Sequence, residues 1–76
     1  MTLFQYINLN FDRIRYDMQI GIVPCSVIRH FQIYSRYDYY KRLGNSTTDA
    51  VIGCCNDFQV QQCWIYRIVK KMETEI

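Results

Sequence analysis

Apolar residues recur along this chain with the period of a helix. Leu3, Ile7, Phe11, Ile14 and Met18 follow one another at spacings of four, four, three and four, which is one helical face. A helix is therefore predicted from about Thr2 to Met18, with Thr2 as its N-cap. The Asn8-Leu9-Asn10 interruption offers Asn10 as the cap of a second, shorter helix. Gln19 to Val23, containing Gly21, reads as a connector. Pro24 then fits the first turn of a new helix, where a missing N–H costs nothing. That helix is predicted over Cys25 to Leu43, with an apolar stripe of Val27, Phe31, Tyr34 and Leu43 flanked by Ile28 and Tyr40. Lys41 and Arg42 complement the dipole in its last turn, and Gly44 supplies the left-handed stop.

Asn45-Ser46-Thr47-Thr48-Asp49 is the next start signal. Ser46 or Thr47 can cap free N–H groups, and Asp49 places negative charge in the first turn. Ala50, Val51, Cys54 and Phe58 continue at helical spacing. Gly53 costs this helix about 1 kcal/mol relative to Ala, so it either permits close packing or is simply tolerated. A last helix, about Gln61 to Glu73, carries Ile65, Ile68 and Met72 on one side. One proline and three glycines leave few breaks, which favours helices over many short strands. The expected fold is all-α, a small helical bundle forming a single domain over residues 1–76. An N-terminal helix and connector occupy 1–23, and a three-helix unit occupies 24–76.

Composition narrows the function classes. At 76 residues the chain is too short for a two-domain enzyme, and a domain of this size buries only about 60% of its unfolded surface. Seven Tyr, four Phe and one Trp supply large contact areas per residue, for a core or for an interface with a partner. Half the residues are hydrophobic and only 21% are charged, with both signs present, which excludes disorder. Met18 to Ile28 is too short an uncharged stretch to span a bilayer, so no membrane partner is expected. A cytoplasmic setting with reduced thiols is expected instead. No basic stretch followed by an apolar core stands at the N-terminus, and Cys54 adjoins Cys55.

Little in the sequence points to catalysis or metal. Cys25, Cys54, Cys55 and Cys63 form no C-x2-C pair, and His30 lies five residues from Cys25, off its helical face. The cysteines are read as small hydrophobes, with no metal and no cofactor expected. The single His30 has no evident nucleophile or base beside it, so the protein is not expected to be an enzyme. Tyr34, Tyr37, Tyr39 and Tyr40 cannot share one helical face, so some belong to the core and some to a dimer surface.

The informative constellation lies where the last two helices meet. Only Gln59 and Val60 separate Phe58 from Gln61, which is the spacing of a helix-turn-helix unit. A twenty-residue frame from Val51 to Lys70 wants apolar residues at its fourth, eighth, tenth, fifteenth and eighteenth places and a small one at its fifth. The chain supplies Cys54, Phe58, Val60, Ile65 and Ile68, with Cys55 at the small place. Over about residues 46–72 the segment resembles the helix-turn-helix DNA-binding superfamily. Its closest flavour is that of Mor-type transcription activators and the DNA-binding ends of transposases and resolvases. Gln59 stands where that family usually has Gly, and Gln61 where it usually has a Ser or Thr cap.

The resemblance implies binding of double-stranded DNA by a recognition helix at about 61–72 lying in the major groove. Gln61, Gln62, Cys63, Tyr66, Arg67 and Lys70 would then face outward. Gln suits adenine and Arg suits guanine, while Tyr66, Lys70 and Lys71 would hold phosphates. Ser46, Thr47 and the N–H groups beneath them would meet a backbone phosphate. Trp64 is expected to pack against the protein in preference to a base. A small transcriptional regulator or mobile-element DNA-recognition protein is the function implied, acting as a homodimer. The alternative is an adaptor of the same shape that binds proteins only.

Charge placement agrees with the first reading. Residues 61–71 carry Arg67, Lys70 and Lys71 with no acid, and residues 29–42 carry Arg29, Arg36, Lys41 and Arg42 against Asp38. Each stretch is locally +3, although the whole chain is only +2. These two helices are expected to form one basic footprint.

Overall fold

The computed structural model describes residues 1–76 and is all-α. Five helices run in the order α1 (Leu3–Leu9), α2 (Phe11–Gln19), α3 (Cys25–Arg42), α4 (Thr47–Phe58) and α5 (Gln62–Met72). None is long and apolar enough to cross a membrane.

The N-terminal apolar face is carried by two helices and not by one. Thr2 caps α1 through a reciprocal box: its Oγ1 accepts from Gln5 N–H at 3.2 Å, and Gln5 Oε1 accepts from Thr2 N–H at 2.8 Å. Asn10 ends α1, where its Nδ2 and its backbone N–H both donate to the Tyr6 carbonyl. Asn10 is also the N-cap of α2, as expected, but through its carbonyl, which accepts from Ile14 N–H at 2.9 Å, while its side chain faces back. The apolar spacing passes through this break undisturbed because only one residue separates the helices.

Helix α3 is the spine of the fold and packs against α1, α4 and α5. Pro24 stands just outside it as the N-cap, in extended conformation. Its buried residues are Ile33, Tyr34 and Tyr37, with Val27, Phe31 and Tyr40 partly buried beside them. Leu43, expected in the stripe, is 62% exposed because it caps the helix after its last turn. Gly44 follows at φ +95°, the left-handed stop that the sequence predicts.

Of the two candidate caps for α4, Ser46 takes the role, accepting from Asp49 N–H at 3.2 Å. Thr47 Oγ1 accepts instead from Lys41 Nζ at 3.1 Å. Ala50, Val51 and Cys54 are buried against α3 and α5. They join Ile65, Ile68, Val69 and Met72 of α5 and Ile7 of α1 in one continuous core.

The two ends of the chain meet. Leu3 N–H donates to the Thr74 carbonyl at 2.8 Å, and Ile76 N–H donates to that of Met1 at 2.9 Å. The Met1 amino group also pairs with Glu75 at 3.0 Å, and Tyr34 Oη donates to Glu73 at 2.9 Å. These bonds hold α1 against the end of α5. Helix α2 has no such anchor and buries no residue fully.

Candidate nucleic-acid interface

The α4–α5 turn is built around Gln59, the one non-glycine residue at positive φ (φ 54°, ψ 47°). This is the left-handed conformation that a glycine would enter without strain. Gln59 N–H and Val60 N–H both donate to the Cys55 carbonyl, closing the end of α4. Gln61 then caps α5 by its backbone alone, its carbonyl accepting from Trp64 and Ile65 N–H. The frame positions Cys54, Ile65 and Ile68 are buried, while Cys55, Phe58 and Val60 pack partly buried against the same core.

With Ile65, Ile68, Val69 and Met72 turned inward, the opposite face of α5 is left to solvent. Gln61, Gln62, Cys63, Tyr66, Arg67 and Lys70 are all exposed on it. This surface carries no carboxylate. Arg67 and Lys70 have none within ion-pair distance, so their charge is free for a partner. Cys63 Sγ donates to Gln61 Oε1 at 3.7 Å, which occupies the Gln61 amide oxygen and leaves Gln62 unengaged.

Lys71 departs from this surface. It is exposed but lies on the flank toward the N-terminal helices, beside Arg13, Asp17 and His30. Ser46 and Thr47 sit at the start of α4 and not on α5. Ser46 Oγ is used in capping, yet the N–H groups of Thr47 and Thr48 begin the helix without an intrahelical acceptor. Lys41 reaches Thr47 there and adds a cation beside them.

The expected second basic helix is partly neutralised. Arg36 pairs with Asp57 at 3.6 Å, and Arg42 pairs with Asp38 at 2.9 Å. Arg29 and Lys41 remain without a carboxylate partner. The one footprint expected of two helices reduces to the α5 face with single additions from α3.

Trp64 is half-exposed and lines a shallow groove with Arg29, His30, Ile33, Val60 and Ile68. The Arg67 guanidinium lies over its ring at 5.8 Å from the centroid. Arg29, Trp64 and Arg67 thus extend the basic surface around the flank of α5. Sequence reasoning missed this association, because Arg29 and Trp64 lie on different helices with no shared spacing. His30, between this groove and Lys71, is held below the ordinary imidazole range by burial first, then by the charges of Lys71 and Arg29.

All four cysteines are free thiols, Cys54 buried and Cys25 and Cys63 exposed. Burial pushes the Cys54 thiol up to about 11, and the nearby Asp57 charge adds to this. No three metal-ligating side chains converge anywhere in the chain. Compared with known protein families, characterised proteins and solved structures, the chain matches none.

Proposed function

We propose that this protein binds double-stranded DNA in a sequence-specific manner, with α5 in the major groove. A small transcriptional regulator or a mobile-element DNA-recognition protein, working in a reducing cytoplasm, is the corresponding role. The observation that carries the reading is the division of α4–turn–α5. Every apolar place of the helix-turn-helix frame faces the core, and every outward place is exposed and free of acid. Gln62 and Arg67 read base edges by bidentate hydrogen bonds. Tyr66 and Lys70 hold phosphates, and the free N–H groups at the start of α4, with Lys41, hold another.

A monomer neutralising about three or four phosphates binds weakly at physiological salt, so two copies act together on one site. Tyr16, Ile20 and Ile22, exposed around the end of α2, supply the apolar surface for pairing. Sedimentation at high concentration checks this: a strict monomer removes the dimer and leaves DNA binding to be tested alone. The exposed Trp64 and Tyr66 favour the second reading, an adaptor that docks a protein on the same helix.

Titration of labelled duplexes at low and moderate salt separates the two. DNA binding gives an affinity that falls steeply with salt, and Arg67→Ala with Lys70→Ala weakens it, relaxes specificity at the base Arg67 reads, and flattens the slope by about one for the lost Lys70–phosphate contact. Absence of salt-dependent binding, or equal binding by the double variant, would overturn the DNA reading.

A further inference from the structure

The most enclosed cleft in the protein is not on the proposed DNA face. It opens between α2 and the α3–α5 pair, with a volume of about 390 Å³. That volume lies within the range of small-molecule sites, about 300–1,000 Å³. Its walls are apolar, formed by Ile7, Ile14, Val23, Val27 and Met72 among others. Four chargeable groups reach it: Arg13 and Asp17 from α2, His30 from α3 and Lys71 from α5.

Neither Arg13 nor Lys71 has a carboxylate within ion-pair distance, although Asp17 lines the same cleft. The cleft therefore holds two unpaired cations against one acid. His30 Nδ1 is sealed from solvent and has no hydrogen-bond partner in the fold. Lys71 and Arg29 also place positive charge near His30. Helix α2, which forms one wall, is the helix that buries no residue of its own.

We propose that this cleft binds a small amphipathic anion, a medium-chain aliphatic carboxylate in chemical class. The alkyl body occupies the space between Ile14, Val27 and Met72, and the carboxylate is met by Lys71 and Arg13. Such a ligand adds apolar contacts to α2 and ties it to α3 and α5. Because Lys71 belongs to the helix proposed to enter the groove, occupancy can alter DNA affinity. That link rests on the DNA reading, whereas ligand binding does not.

The test is an amide and imidazole NMR titration of the full chain, without DNA, using octanoate, octanol and octylammonium as probes. Octanoate is expected to give saturable shifts at Ile7, Ile14, Val27 and His30. Octanol should bind at least about tenfold more weakly, and octylammonium should leave these signals unmoved. Lys71→Met, an exposed position whose fold the same spectra verify, should weaken octanoate by about tenfold, the effect of losing one charge-assisted bond. Val27→Trp, which fills the cleft, should abolish the response. No saturable shift, an equal response to all three probes, or octanoate binding unchanged by Lys71→Met would overturn the proposal. A failure of DNA binding would leave each of these results unaffected.

Discussion

The ring of Tyr40 lies 2.8 Å from the place a Cβ on Gly53 would occupy. Helices α3 and α4 meet so closely there that only a hydrogen fits between them. Tyr40 cannot swing away without loss, because its hydroxyl donates to Asp57 at 2.6 Å, and Asp57 also holds Arg36. Of the two readings open for Gly53, close packing is the one the structure supports.

Gly53→Ala should therefore destabilise the protein, although alanine is the better helix former by about 1 kcal/mol. Overpacking of about 1–3 kcal/mol outweighs the propensity gain. In a Tyr40→Ala background the clash is gone, and the same substitution should become stabilising. Urea unfolding of the four proteins of this cycle checks the change of sign.

Gln59 gives a prediction of opposite direction. A side chain at φ 54° bears a cost that glycine escapes, partly offset by the greater freedom of glycine in the unfolded chain. Gln59→Gly should raise stability by about 1 kcal/mol, seen as a higher urea midpoint at unchanged slope. Gln59→Val, β-branched at the same backbone angle, should lower it.

The thiols should separate by burial. Cys25 and Cys63 should alkylate readily at neutral pH and Cys54 only on unfolding. Its thiol is raised from 9.0 to about 11, so the folded state retains a proton that the unfolded state gives up. The stability from this group is complete below pH 9 and is lost as pH rises through 11. Tyr34, raised by burial and by its bond to Glu73, adds a loss of the same sign at higher pH. Cys54→Ala should shrink the loss that begins near pH 9, leave the part from Cys55, whose thiol burial also raises, and keep the later one.

His30 acts at the other end of the scale. Its folded form resists protonation, while the unfolded imidazole protonates near 6.5. Stability should therefore fall as pH drops below that value. Lys71→Met removes one of the causes and should raise the His30 midpoint, measured by the imidazole carbon-bound proton shifts.

Much of the fold was legible because its signals are local. Gly44 and Ser46 mark the α3–α4 boundary by backbone and capping chemistry that needs no tertiary context. The core face of α5 follows from Ile65, Ile68 and Met72 at helical spacing. Helix α3 resisted the same treatment. It packs against α1, α4 and α5, meets α2 through the Phe11 and Phe31 rings, and buries a broad face, so Ile33 and Tyr37 did not stand out from an aromatic-rich sequence. At Asn10 the polar interruption pointed to a second helix while the apolar period continued across it, so spacing alone did not decide between one helix and two. Nor does sequence spacing reveal that Asp57 would claim Arg36, or that Lys71 would turn toward His30. Those facts depend on how helices from distant parts of the chain come together.

The proposed docking of the outer face of α5 in a DNA groove can be observed in solution. The most direct measurement is amide chemical-shift mapping of the labelled protein with a duplex selected from a random pool. Saturable shifts are expected over Gln61 to Lys70 and at Thr47 and Thr48, with α1 unmoved. No saturable shift, or shifts confined to α1 and α2, would contradict it.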